Sequence, residues 1–393
     1  MAQTTVIQGQ VMNAASKEPA AFCHVILKKL STGAVTDLEG FFALSIEDEF
    51  LNDTLVVQTM GFDTKEIPVM AYLKKQQNKI YIRESTILLE TVTVVPPKTI
   101  FERVKENIEN NYITEDFRTD IFFRKASYEQ GEFKLLVEAV AEVYAKKGYK
   151  KRSAESLKIN LLQLRISDDY RTYKYPSGLN PLLQGFYQNE RIKNAAVLNR
   201  IVKRANNLEK VGVTTYDGED VLIFKDAVST YYVGSDNYEL FRVDVEGSWF
   251  ASSHHYAKYK GKMYLVYQRR ELKFTKELHD KWKGSAPSQY PDHWKNHLPE
   301  KLPENSGQIT ESYATNIVLG SEQKLKPVEN INRDKDIYEA PYIFNDQFWQ
   351  DYAIPSESYY YDKIVKDLST YKYPLEEQFR FNGAINNQKI RSN

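Results

Sequence analysis

GAVTDLEGFFAL, Gly33 to Leu44, decides how the front of the chain is read. An acid opens a turn at Asp37, a glycine closes it at Gly40, and two phenylalanines start the next strand. The Asp37 carboxylate can accept from backbone N–H groups of its own turn, two residues on. Gly40 is expected at positive φ, which a residue with a Cβ resists. Strand neighbours point to opposite faces, so at most one of Phe41 and Phe42 enters a core. Asp37 and Glu39 are too few for a calcium cage of about 6–8 oxygens, which leaves turn chemistry as their role.

The same rhythm of short strands and turns fills the first part of the chain. TTVIQGQVMN, AFCHVILKK, two strands around Asp37–Gly40, a pair turned at Gly61–Asp63, and QNKIYIRES make about seven strands. Such spacing, with frequent turn signals, predicts a β-sandwich over residues 4–95. Cys23 is the one cysteine of the chain. It can form no intrachain disulfide and reads as a buried thiol. His24 is its neighbour in a strand and points to the other face, badly placed to act as its base.

Composition narrows the function classes. The 393 residues balance 53 Lys+Arg against 53 Asp+Glu, a formal net charge of zero. A nucleic-acid binder would show a basic patch, and no long basic run occurs. No window reaches the roughly 18 apolar residues of a membrane helix, so no transmembrane segment is expected. The opening MAQTT has no charged leader region and runs straight into a strand, as in an exported chain whose signal peptide has been removed.

Gly9, Val11, Thr36, Asp37, Gly40, Phe41, Gly61 and Phe62, with the closing ILLETVTVV, resemble the carboxypeptidase regulatory-like domain. The resemblance implies a prealbumin-like seven-stranded sandwich. In Bacteroidota that domain precedes the plug of TonB-dependent outer-membrane receptors and other envelope modules. A plug and a 22-stranded barrel would need far more chain than follows Val95, so a receptor is not expected.

Pro96–Pro97 reads as a stiff linker over 96–98. TIFERVKENIENNY then spaces Ile100, Val104 and Ile108 by four, an amphipathic helix with Thr99 as N-cap and Glu102 at N3. Beyond it strands return. EFKLLVEAVAEVYAK alternates as a strand, although Leu136, Val140 and Tyr144 also allow a helix. A helix is expected from Ala195 to Lys210, and a Pro-rich loop at 276–306. The fold class is mostly β: the sandwich, then an antiparallel, curved sheet domain over 99–393 with C-terminal helices. KTIFERVKENIENNY and FNDQFWQDYAIP also resemble segments that follow this sandwich in a group of Bacteroidota proteins, and fix no activity.

No catalytic constellation is found. HLPE, His297 to Glu300, is the H-x-x-E of this chain, and no histidine follows it to complete a zinc peptidase site. His279, His293 and His297 are weak metal candidates, with His293 and His297 one helical turn apart. No G-x-S-x-G, P-loop or G-x-G-x-x-G occurs. No cofactor is expected. The 28 tyrosines point instead to packing and contact surfaces. The expected role is a non-enzymatic periplasmic adaptor docking onto an outer-membrane protein or complex, with most contact in residues 99–393. The alternatives are a periplasmic carrier of a lipid or other apolar ligand, or a carbohydrate-binding module.

Gly40→Val is expected to destabilise the sandwich by about 1–3 kcal/mol. Thermal unfolding unchanged by the substitution would contradict this reading of the hairpin.

Overall fold

The computed structural model describes residues 4–29, 33–37, 39–74, 78–85, 95–150, 157–172, 195–284, 303–331, 337, 342, 344–352, 354 and 360–392. Its first part has seven strands: β1 Thr4–Asn13, β2 His24–Leu27, β3 Gly33–Val35, β4 Phe41–Glu47, β5 Thr54–Gln58, β6 Lys65–Pro68 and β7 Lys79–Ile82. They form two sheets, ordered β4-β1-β7 and β3-β2-β5-β6. Alternate residues of both sheets, among them Ile7, Val11, Val25, Leu27, Leu55, Val57 and Ile80, close one core between them. Phe42 is 1% exposed and Phe41 is 47% exposed, as strand alternation requires.

Gly40 has φ +75°, and a Cβ there would overlap the Val11 carbonyl oxygen. The Asp37 carboxylate accepts from the Phe41 N–H at 2.8 Å, four residues on rather than two, because the strand start itself needs the partner. A single-turn helix, α1 Val69–Leu73, was not anticipated. Its apolar pair Val69 and Tyr72 is too short to show a helical period, and Tyr72 is held by its hydroxyl donating to Gln8 O at 2.9 Å.

Helix α2, Pro97–Glu106, starts earlier than its sequence suggests. Pro96 is the N-cap and Pro97 takes N1, so Thr99 is inside the helix. Proline suits N1 because that N–H has no helical acceptor and its φ is already set. After α3 Ile108–Asn111 come β8 Phe117–Glu129, β9 Glu132–Ala145 and β10 Leu157–Ile166. Helix α4 spans Ala195–Arg204 and ends short of Lys210. A 3-10 turn, Ala205–Asn207, follows, and Lys210 lies in β11, Glu209–Tyr216. The strands β12 Glu219–Lys225, β13 Ser229–Gly234, β14 Leu240–Glu246, β15 Phe250–Tyr259 and β16 Lys262–Lys273 run on as a meander.

Lys276–Gly284 is helix α5, where the sequence reads as loop. Thr275 Oγ1 accepts from the Leu278 N–H at 3.3 Å and starts it. β17 Gly307–Leu319, α6 Asp346–Asp351, α7 Tyr361–Ser369 and α8 Leu375–Ser392 complete the chain.

The ten strands of the second part form one antiparallel sheet, ordered β10-β9-β8-β17-β16-β15-β14-β13-β12-β11. β9 is a strand because it pairs with β8 on one side and β10 on the other. Helices α2 and α4 fill one face, where Phe101 packs edge-on to Phe224 at 5.6 Å and Tyr231 at 5.1 Å. Tyr112 reaches into the same core and exchanges hydrogen bonds with the Leu240 backbone.

Two cross-strand rows run over the opposite face. In the first, Arg165, Glu138, Arg124, Glu311, Arg269, Ser253 and Asp244 follow one another on seven successive strands. Glu138 is fully buried and takes Arg124 Nε at 2.6 Å and Arg165 Nε at 2.7 Å. Burial raises its pKa, but the two guanidinium groups outweigh that and hold it below the usual carboxylate range. Tyr361 of α7 covers Arg124 at 4.5 Å, and Trp349 of α6 and Phe379 of α8 cover Arg165 at 4.5 and 4.6 Å. In the second row stand Val140, Phe122, Tyr313, Tyr267, His255, Arg242 and Tyr232.

Glu138→Ala leaves two buried guanidinium groups without their shared anion. It is expected to lower unfolding stability by about 3–5 kcal/mol, measured by urea denaturation. A loss below about 1 kcal/mol would show that water or relaxation replaces the carboxylate.

Candidate functional site: the joint between sandwich and sheet

The turn before β2 brings Phe22 to the second row of the sheet. Its ring lies 4.7 Å from His255 and 5.2 Å from Tyr267, and the Arg242 guanidinium sits 5.6 Å from its centre. Phe22 has φ +57°, a left-handed conformation that a bulky residue adopts only when its surroundings hold it there. Backbone and side chains fasten the same joint. Gly61, φ +81°, donates its N–H to Thr215 O at 2.8 Å. Thr64 Oγ1 donates to Asp217 at 2.8 Å, and the hydroxyls of Ser85 and Thr215 bond to each other.

A cavity of about 250 Å³ opens at this joint, with Phe22, His24, Tyr216, Phe241, Arg242 and His255 among its walls. Its polar groups are fixed by neighbours. Arg242 Nε donates to Asp244 at 2.9 Å, and the guanidinium lies 5.3 Å from the Tyr232 ring centre. Ser253 Oγ bonds both Asp244, at 2.6 Å, and His255 Nε2, at 2.9 Å. His24 is 4% exposed, and its Nδ1 pairs with the Tyr216 hydroxyl at 2.9 Å. Its Nε2 is buried with no hydrogen-bond partner among the described residues. Burial pushes the His24 pKa down to about 4. Burial, and then Arg242, hold His255 well below the ordinary histidine range. Both rings are therefore neutral at neutral pH and can offer one donor and one acceptor nitrogen each.

Of the residues singled out in the sequence, Gly61 is at the joint, and Asp37 and Gly40 are in the sandwich hairpin. His279 is buried in α5, with Nδ1 3.9 Å from Asp280. His293 and His297 lie outside the described residues. Among the described residues no three His, Cys, Asp or Glu side chains come together as a metal site. The Cys23 thiol is pushed up to about 12 by burial and donates to Ala20 O at 3.2 Å, which makes it unreactive. Phe22, His24, Arg242 and His255 carry no motif. The one local signal was two adjacent histidines, His254 and His255, in a strand.

Protonation of His24 is opposed in the closed fold, with its pKa near 4 against an ordinary 6.5. The stability linked to neutral His24 is therefore fully present above pH 6.5 and is lost as pH falls from 6.5 through 4. His24→Gln is expected to flatten the acid limb of a melting-temperature profile over that range. An unchanged limb would mean that other groups carry it.

Part of the chain is 30% identical over 106 residues to the TonB-dependent receptor SusC of Bacteroides thetaiotaomicron, covering 27% of this chain. The match spans 9% of that receptor's length. A LolA superfamily protein from Nitrosomonas europaea covers 59% of this chain and 96% of its own, at 11% identity and a TM-score of 0.22. A DUF1329 family protein from Desulfovibrio piger covers the same shares at 12% identity and a TM-score of 0.25. No helix among the described residues is long and apolar enough to cross a membrane. The CarboxypepD_reg-like domain family matches residues 7–94, the span of the sandwich from within its first strand onward.

Proposed function

We propose that this chain is a non-catalytic binding component of the cell envelope that docks, in the periplasm, onto an outer-membrane protein or complex. The observation that carries this reading is the sandwich, a CarboxypepD_reg-like domain in a chain that is 30% identical over 106 residues to a TonB-dependent receptor. The proposed division is a sandwich over 4–95, a linker over 96–98 and a sheet part over 99–393. The sandwich is not tethered loosely, since Phe22, His24 and Gly61 fix it to the sheet. Such a joint suits a device that presents a surface at a set angle.

The filled core favours docking over carriage. A lipid carrier needs an open apolar cavity, and one face of the sheet is packed by α2 and α4. Apolar side chains are instead offered outward. In α8, Phe381 and Ile385 are one helical turn apart and each about half exposed. That pair supports a main contact in the sheet part. Phe41 and Tyr81 on the sandwich supply a second, smaller surface.

The test is capture from detergent-solubilised outer membranes with the full chain as bait, followed by native mass spectrometry. A co-purified outer-membrane barrel protein is expected, weakened by a Phe381→Ser/Ile385→Ser variant more than by Phe41→Ser/Tyr81→Ser. A co-purified small lipid with no protein partner would turn the assignment to a carrier.

A further inference from the structure

We propose that the cavity between sandwich and sheet binds a small organic carboxylate with a flat apolar body. The inference is independent of the docking partner. It begins with His24. A buried ring nitrogen without a partner is costly, and native proteins rarely leave one. His24 Nε2 is such an atom, in a side chain that walls the cavity. Beside it, Arg242 uses Nε toward Asp244, and its side chain remains 26% exposed. A guanidinium with terminal N–H groups open to a cavity is a carboxylate receptor by geometry.

The other walls choose the body of the ligand. Phe22, Phe241 and Tyr216 present ring surfaces, with Phe241 and Tyr216 4.7 Å apart. A volume of about 250 Å³ is the share of roughly eight waters, room for a ligand of about ten heavy atoms. A hydrocarbon would fill it and leave His24 unpaired. An amine would meet Arg242.

Asp244 offsets part of Arg242 from β14, and Glu18 lies at the exposed rim from the sandwich. His255 spends Nε2 on Ser253 and turns its ring to Phe22. The ligand would therefore accept from Arg242, and from His24 Nε2–H once a small shift of the wall uncovers that atom. That selects one tautomer: the Tyr216 hydroxyl donates to Nδ1, and Nε2 carries the proton.

The experiment uses the full chain with benzoate as probe and benzylamine as the charge-reversed control. Benzoate is expected to bind with a dissociation constant on the order of 1 mM, as suits about nine heavy atoms, and benzylamine not at all. Arg242→Gln and His24→Phe should each weaken benzoate by about tenfold or more. On the unsubstituted chain, ring-nitrogen NMR of His24 should show the Nε2–H tautomer when benzoate is bound. Absence of benzoate binding, equal binding of benzylamine, or an affinity untouched by both substitutions would overturn the proposal. If either variant fails to fold, the probe comparison and the tautomer on the unsubstituted chain decide it.

Discussion

A single carboxylate, that of Glu138, holds two buried arginines on neighbouring strands. Burying three charges is unfavourable unless they are paired, and here both guanidinium groups share Glu138, while Arg124 Nη1 and Nη2 have no hydrogen-bond partner among the described residues and lie against the Tyr361 ring. Arg124 lies between Glu138 and Glu311 in strand order, and Arg269 follows Glu311. Slipping any of these strands by one residue would turn its charge to the other face, among the side chains packed on α2 and α4. The row therefore fixes register across the middle of a ten-stranded sheet more sharply than apolar packing would. It also dictates what covers it. Aromatic rings satisfy a guanidinium plane where no further acceptor fits, and Tyr361, Trp349 and Phe379 arrive on three separate helices to do so.

The second row extends that logic to the sandwich. Going along the strands by two residues replaces the charges with rings, and the rings continue beyond the reach of the C-terminal helices. There Phe22 takes the position that a helix residue would otherwise fill. One face of one sheet is thus shared by two covers. The helices α6, α7 and α8 sit over the arginines, and the sandwich sits over His255, Tyr267 and Arg242. Its strained backbone at Phe22 is tolerated because the ring is held from several sides.

How much of this the sequence discloses follows from the range of each interaction. The hairpin at Gly33–Leu44 is legible because its turn, its glycine and its alternating phenylalanines are local. Most strands of both parts are legible by alternation, even β9, whose pattern also admits a helix, but not β11, whose start was taken into the preceding helix. The start of α2 was misplaced because Thr99 and Glu102 imitate a cap, while the proline at N1 settles the matter two residues earlier. The 276–306 segment was read from its prolines, although its first nine residues contain none. The rows were invisible: Arg165 and Asp244 have nothing in common until seven strands are laid in register. The joint was equally hidden, since His24 and Tyr216 are 192 positions apart.

The cavity and the joint are one structural unit, and this bears on how binding would be felt. Its walls come from both parts, so a molecule that pairs with His24 and Arg242 together can do so only while the sandwich is seated. Such a molecule stabilises the seated arrangement in proportion to the logarithm of its concentration over its dissociation constant. An acid pH works in the opposite sense, because a proton on His24 is accepted more readily once the ring is released into water. The angle at which the sandwich is presented is then set by a few neutral, buried polar groups rather than by the length of the connection at Pro96–Pro97. A partner that touched both parts at once would therefore meet surfaces held at the angle these contacts set.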